Sequence, residues 1–565
     1  MNMKKLLIAI AVSALFLTCK VDKNEPQTPV STAKDSTQIV QKKVPFVWQG
    51  ANIYFLLTDR FNNGNPENDL NFDRTNETAP LRGFMGGDIQ GITDKIEEGY
   101  FSKLGVNAIW FTPVVEQIHG DTDEGTGNTY AYHGYWAKDW TALDPNFGTK
   151  KDLENLVKTA HKNNIRILMD VVINHTGPVT EQDPVWPEDW VRTTPVCEHT
   201  NYETTTSCTL VANLPDIYTE SDEAVELPDA LLAKWKDEGR LSNELDELQL
   251  FFQRTGYPRA PRFYIIKWLT DYVNDMGIDG FRVDTAKHAD EKTWLELYVE
   301  ASKAFETWKK KHPEDVLDNT PFYMVGEAYG YEISTGREFD FGDKKVDYFE
   351  YGFESLINFE LKNDAKKSYE TIFKKYNRIL NSDLKNKGVL NYLTSHDDAE
   401  PFDKDRKRPY YTANVLFLTP GTSQIYYGDE SARDLTIENT EGDATLRSFM
   451  NWEEIDSLQV TKNILTHWQK LGSFRANHPA IGAGRHKRLS KKPYVFSRTY
   501  INENFKDKVV VGLDLPKGKK SLWVKGFFGD GTKLFDTYSE TYVEVKNGKV
   551  ILENDNDIAL LELAD

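Results

Sequence analysis

The sequence predicts a (β/α)8 TIM barrel with a small domain inserted after its third strand and a C-terminal antiparallel β-domain. Three observations carry that expectation. Short apolar strands alternate with amphipathic helices from Ala51 onward, and a long insertion interrupts the alternation at about residues 176–258. After Pro479 the helical period gives way to β-rich segments separated by Gly turns. A doubly wound open sheet is the competing topology.

The expected strands are Ile53–Phe61, Ala108–Val114, Ile165–Val172, Ile278–Asp284, Phe322–Glu327, Phe353–Phe359, Val389–Ser395 and Gln424–Tyr427, each read as followed by a helix. The first helix, Asp88–Leu104, places Ile89, Ile92, Ile96, Tyr100 and Leu104 near helical spacing. The others are expected at Lys151–Asn163, Phe263–Met276, Thr293–Lys310, Asp364–Leu384, Tyr410–Leu418 and Val460–Ala476. Four segments of the last domain read as strands: Tyr494–Tyr500, Val509–Leu513, Ser521–Val524 and Val550–Leu552. These readings bound a barrel at 46–480 and a C-terminal domain at 481–565.

At 565 residues the chain exceeds one minimal domain and can bury a large core. A net charge of −20 disfavours nucleic acid, whose phosphates require a basic surface. The acidic groups could instead hold calcium or keep an exported protein soluble. Thirteen Trp and twenty-seven Tyr suit stacking on sugar faces, although core packing accounts for most aromatic rings.

Lys4-Lys5 followed by the apolar run Leu6 to Leu17 reads as an export signal over residues 1–18, too short to span a bilayer. It ends at Phe16-Leu17-Thr18-Cys19, which resembles a bacterial lipobox and implies a lipid on Cys19. Thr18 is larger than usual there, so plain signal cleavage is the alternative. Residues 19–45 then read as a polar tether. The expectation is an exported lipoprotein, periplasmic or at the cell surface, touching the membrane only through its lipid. A soluble periplasmic or secreted protein is the alternative. In such an oxidising compartment Cys197 and Cys208 would close a short loop worth about 3 kcal/mol, with two free thiols as the other possibility.

Barrel chemistry forms at the C-terminal ends of strands. Strand three ends Asp170-Val171-Val172-Ile173-Asn174-His175, strand four in Arg282 and Asp284, strand five in Gly326-Glu327 and strand seven in Ser395-His396-Asp397. Arg282 and Asp284 share one face of a strand, so the guanidinium favours an ionised carboxylate. Alone, that pair reads equally as a structural ion pair. Three carboxylates, Asp284, Glu327 and Asp397, converging on one cleft with two histidines are harder to explain structurally.

These segments resemble the α-amylase family, glycoside hydrolase family 13. Gly105–Pro113, Asp170–His175, Gly280–His288, Gly326–Glu327, His396–Asp397, Leu214-Pro215-Asp216 and Gly421–Glu430 are similar to its motifs. Tyr130–Trp136, Tyr392–Asp397 and Phe474–Gly482 point closer, to bacterial periplasmic α-amylases. Ser395 departs from the Asn of most relatives. The resemblance implies Asp284 as nucleophile, Glu327 as general acid/base and Asp397 as transition-state stabiliser. That arrangement implies a retaining mechanism, with the first two carboxyls roughly 5–5.5 Å apart. It further implies sugar binding by Arg282, His175 and His396, stacking by Tyr135, assistance from His133, and leaving-group contacts from Lys287 and His288. Asp443 and Arg447 resemble a pair that grips the neighbouring sugar, and read otherwise as a surface i,i+4 salt bridge.

The resemblance also implies calcium, one or two ions. Asn174, Asp216 and the backbone carbonyl of His288 would hold a shared ion between insertion and barrel. The loop containing Asn63, Asn65, Asn68 and Asp69, with Gly86 and Asp88, would hold a second, or otherwise is an Asx-rich turn.

The function implied is endo-type hydrolysis of α-1,4-glucosidic bonds in starch, glycogen or maltodextrins by a monomer. A cyclodextrin glucanotransferase would share the same residues, and the single β-domain at the C-terminus argues against it here. Lys287-His288 and Leu214-Pro215-Asp216 disfavour α-1,6 specificity. From another class, non-catalytic transporter partners or glycan-binding relatives lose members of the carboxylate trio and carry a true membrane helix.

Overall fold

The structure is a computed structural model that describes residues 44–564. The export signal and Cys19 lie outside the described residues. Eight parallel strands close into a barrel in sequential order: Asn52–Leu56, Ala108–Phe111, Arg166–Val171, Gly280–Val283, Tyr323–Gly326, Ser355–Asn358, Gly388–Asn391 and Thr422–Tyr426. All eight strands are buried along their length, as expected of a parallel sheet covered by helices on the outside. The open-sheet alternative is thereby excluded.

Three departures from expectation have identifiable physical causes. The run Ile53–Phe61 is strand only to Leu56, and Thr58–Phe61 is a helical turn. There the buried Asp59 accepts the backbone N–H groups of Met85 and Gly86, a long-range anchor that an apolar run does not reveal. The first helix breaks at Gly99, whose φ of 74° is left-handed, into Ile89–Glu97 and Tyr100–Lys103. Strands five and six are joined without an α-helix among the described residues. The connection instead holds a short hairpin, Phe339–Asp340 with Lys345–Val346, flanked by 3-10 turns. Gly330, Gly336, Gly342 and Gly352 all take positive φ across it, which turns the chain repeatedly.

The longer helices packed around the barrel are Lys150–Lys162, Pro261–Met276, Glu291–Lys311, Tyr369–Leu380, Pro409–Leu418 and Gln459–Asn477. Between strand three and Pro261 the chain forms the two-residue strands Val191–Arg192 and Asp216–Ile217, then the helices Asp229–Asp237 and Leu241–Thr255. Among the described residues, no helix is long and apolar enough to cross a membrane.

The C-terminal domain holds a six-stranded antiparallel sheet and a separate two-stranded one. It has four strands beyond those expected. Arg485–Ser490, Lys533–Asp536 and Thr541–Glu544 are too short or polar to stand out, whereas Ala559–Leu563 is apolar and its pairing with Lys506–Leu513 and Lys533–Asp536 is not local in sequence. Alternation places both faces of the six-stranded sheet in contact with apolar neighbours. Val510 and Leu561 face the domain's own core, while Val509, Val511 and Leu560 join the barrel core. Arg475 and Arg498 cross this junction, donating to the carbonyls of Phe417 and Leu418 at a helix C-terminus.

Candidate active site

Strand register builds the centre of the site. Arg282 lies opposite Asp170 across strands four and three, and both are buried. Its Nη1 donates to Asp170 Oδ1 (2.9 Å) and Asp284 Oδ1 (2.8 Å), and its Nη2 donates to Glu327 Oε2 (2.6 Å). One guanidinium therefore ties three carboxylates from three strands into fixed positions. Asp170 also accepts Trp110 Nε1 and the Tyr135 hydroxyl, each at 2.9 Å.

Burial drives the Glu327 carboxyl well above the ordinary carboxylate range. Arg282 opposes that shift, while the charges of Asp284 and Asp397 reinforce it. Burial is the larger effect, so the carboxyl is biased toward its protonated form despite its guanidinium neighbour.

From this assembly Asp284, Glu327 and Tyr135 line a cleft of about 560 Å3, with Arg282, Asp170 and Trp110 buried outside its lining. Asp284, Glu327 and Asp397 open into it together with His133, Tyr135, His175, Lys287, His288 and His396. Tyr135 is held by its hydroxyl bond to Asp170, and its ring stacks on His396 at 5.3 Å between centroids. Burial lowers the pKa of His133, His175 and His396, so the imidazoles are neutral. His133 Nδ1 accepts the Tyr135 N–H, which leaves the proton on Nε2. Ser395 Oγ sits 3.2 Å from Asp397 Oδ1 and 3.3 Å from His396 Nδ1, so the serine supports both.

Asp443 and Arg447 are not a surface pair. They lie on the 3-10 turn Gly442–Arg447, form an ion pair, and line the cleft. Arg447 Nε donates to the His396 carbonyl at 2.9 Å, and Asp443 takes a second guanidinium, Arg82, at 3.1 Å. Lys287 Nζ donates to the Tyr329 carbonyl, and burial lowers its pKa. His288 Nδ1 bonds the Thr205 carbonyl at 3.0 Å, joining strand four's loop to the insertion.

Arg82, Glu124, His199 and Tyr329 also line the cleft and went unnoticed in the sequence. His199 carried a usable signal, because it sits two residues after Cys197. Cys197 and Cys208 are disulfide-bonded, and the loop they close holds His199 on the cleft wall. His199, Cys197 and His288 approach one another within metal-ligand range, but the disulfide removes the thiolate a metal would need.

For calcium, Asn174 and Asp216 meet where strand three runs against the insertion. The Ile217 N–H donates to the Asn174 carbonyl at 2.8 Å, and the backbones of His175 and Asp216 pair in an isolated antiparallel β-bridge. Asn174 Oδ1 and both Asp216 carboxylate oxygens are buried without hydrogen-bond partners among the described residues. Arg192 Nε stands 3.0 Å from Asp216 Oδ2 and neutralises part of that charge. Such a set of hard oxygens fits a calcium ion.

The second loop fits less completely. Asn63 Oδ1 and Asn68 Oδ1 are buried without hydrogen-bond partners among the described residues, and a Cβ on Gly86 would meet Asn63 and Asp69 at 2.6 and 2.7 Å. Both Asp88 oxygens, however, accept backbone N–H groups of Gly64, Asn65 and Gly91, and Asn65 Oδ1 accepts that of Glu67.

Comparison with known proteins shows the family. Residues 55–458 match the family described as alpha amylase, catalytic domain. The periplasmic alpha-amylase of Escherichia coli K12 is 36% identical over 83% of this chain and 72% of its own length. A cyclomaltodextrin glucanotransferase of Thermoanaerobacterium thermosulfurigenes is 27% identical over 80% of this chain, which spans only 58% of that protein. A solved cyclomaltodextrin glucanotransferase with a three-domain ABC distribution superposes with a TM-score of 0.61 at 21% identity, over 91% of this chain and 99% of the other. The chain belongs to the α-amylase family and is a glycoside hydrolase.

Proposed function

We propose that the protein is a retaining α-amylase cleaving internal α-1,4-glucosidic bonds of starch, glycogen or maltodextrins. The observation that supports this most is the convergence of Asp284, Glu327 and Asp397 in one cleft, with Arg282 bonded to the first two. Glu327 protonates the glycosidic oxygen as Asp284 attacks the anomeric carbon, and a covalent glycosyl-enzyme forms. Glu327, now ionised, takes a proton from the water that releases the sugar. Asp397 stabilises the oxocarbenium-like charge. Arg282, His175 and His396 bind the reacting sugar, and Tyr135 offers its ring face. Lys287 and His288 act on the leaving-group side, while Asp443 and Arg447 grip the adjacent residue.

Glucanotransferase is the second reading, because a three-domain member shares this architecture. Thin-layer analysis of products from amylose separates the two, with pullulan and cyclodextrins as controls. Linear maltooligosaccharides support the hydrolase, whereas accumulating cyclic products replace it with the transferase.

In this reading residues 46–480 form the catalytic barrel, 176–258 an inserted domain and 481–565 the C-terminal domain of a monomer. Asn174, Asp216 and the His288 carbonyl hold a calcium ion that ties the insertion to the barrel. The Asn63–Asp69 loop with Gly86 is the weaker second site. Chelation is therefore expected to lower thermal stability and activity together. An ion present at a hundred times its Kd contributes about 2.7 kcal/mol to the folded state. A melting curve unmoved by excess EGTA, after metal analysis shows the ion gone, refutes the site.

The chain is further expected to be an exported lipoprotein anchored through Cys19. Fractionation of the native and Cys19→Ala proteins, with mass spectrometry of the mature N-terminus, checks this. A native protein in the membrane fraction and a soluble variant are expected. Equal solubility with an unmodified N-terminus beyond Cys19 replaces the anchor with simple secretion.

A further inference from the structure

A second cavity, of about 440 Å3, lies behind the catalytic cleft and shares no lining residue with it. The chain passes from one to the other within three residues. His175 lines the cleft, and Thr176, Gly177 and Pro178 line the second cavity. The wall between them is one small apolar cluster. Ile118 faces the second cavity, Trp136 and Leu214 face the cleft, and all three pack together. Gly177 keeps that wall thin, since a Cβ there would meet Ile118 at 2.4 Å.

The cavity's chemistry is amphipathic. Its half-buried aromatic ring, Trp186, is set edge-on against Trp140 and Trp190 at 5.6 and 5.0 Å between centroids. Two buried indoles thus fix the plane of a third, and Pro184 and Pro187 flank it. Lys138 is held 2.5 Å from Asp183, which fixes the direction of its ammonium, whereas Lys234 is paired with Glu116, Asp139 and Glu238 and serves to hold the cavity wall. Asp189 and Asp229 add exposed acceptors at the rim. Carboxylates outnumber these two lysines, and both lysines are already neutralised, so an anionic ligand is repelled. The size falls within the range of small-ligand sites. A neutral polyhydroxylated ring with one apolar face fits, stacked on the indole with its hydroxyls on the charged rim.

We infer that this cavity is a second, non-catalytic binding site for a short stretch of α-glucan, a reading that rests on the substrate class proposed above. The site holds polymer against the molecule beside the cleft without taking part in bond cleavage.

Two variants test it in the full chain. Trp186→Ala removes the stacking face. Ala230→Trp places a bulky ring at the cavity mouth from an exposed helix position, without touching the core. In the non-hydrolysing Asp284→Asn background, electrophoresis through gels containing soluble amylose is expected to show retardation that weakens about tenfold in apparent affinity with either change. In the active background, both variants are expected to hydrolyse a short aryl maltotrioside at the native rate. Unchanged retardation in both overturns the site. Loss in Trp186→Ala alone also overturns it, because the effect then comes from disturbed packing rather than an occupied cavity. Failure of the native chain to hydrolyse amylose refutes the functional reading instead, and leaves the gel comparison to judge the site separately.

Discussion

Asp284→Asn is expected to lower kcat on amylose by on the order of 10^4-fold or more, the scale seen when a covalent nucleophile is removed. The amide cannot attack the anomeric carbon. The fold should survive, because Arg282 keeps its bonds to Asp170 and Glu327. Binding of maltooligosaccharides should survive too, since the histidines, Tyr135, Asp443 and Arg447 are untouched. Near-native hydrolysis by purified Asp284→Asn protein, or a lowered melting temperature matching the loss of activity, would contradict the assignment.

Glu327→Gln is expected to cost about 10^2- to 10^4-fold on amylose, the usual worth of a general acid. With an aryl glycoside whose leaving group departs unaided, the first step should be nearly restored. The pH dependence follows from burial. Glu327 titrates above the ordinary carboxylate range, so it holds its proton to higher pH and activity falls on the alkaline side as the proton leaves. That limb should vanish in Glu327→Gln. The stability sign runs the same way. A carboxyl whose folded pKa is raised binds more protons folded than unfolded, so its contribution is greatest below the unfolded pKa. It declines as pH rises through the folded pKa. Glu327→Gln should therefore flatten the alkaline side of the melting-temperature profile, and an unaltered profile would show that Glu327 is not buried as described.

Most of this site is legible locally because each strand ends in its own chemistry. Asp284, Glu327 and Asp397 each close an apolar run, and strand number places them at one end of the barrel. The partner relations are not local. Asp170 sits inside the apolar run of strand three, which marks it as unusual, yet its role depends on the register that sets it opposite Arg282. Arg82 reaches Asp443 across 361 residues of sequence, and no nearby pattern announces it. Period also fails where tertiary contacts override it. Thr58–Phe61 turns helical around the buried Asp59, and the glycines between strands five and six replace a helix with turns. Ser395 reads as a departure from the family and in space still supports Asp397 and His396.

The central claim is that Asp284 and Glu327 act as nucleophile and acid in a double displacement. Proton NMR of the first products released from a maltooligosaccharide, recorded before mutarotation, tests it directly. The account predicts that the new reducing end appears as the α-anomer and relaxes afterwards toward equilibrium. An initial β-anomer would mean single displacement by water, and would contradict the roles assigned to both carboxylates.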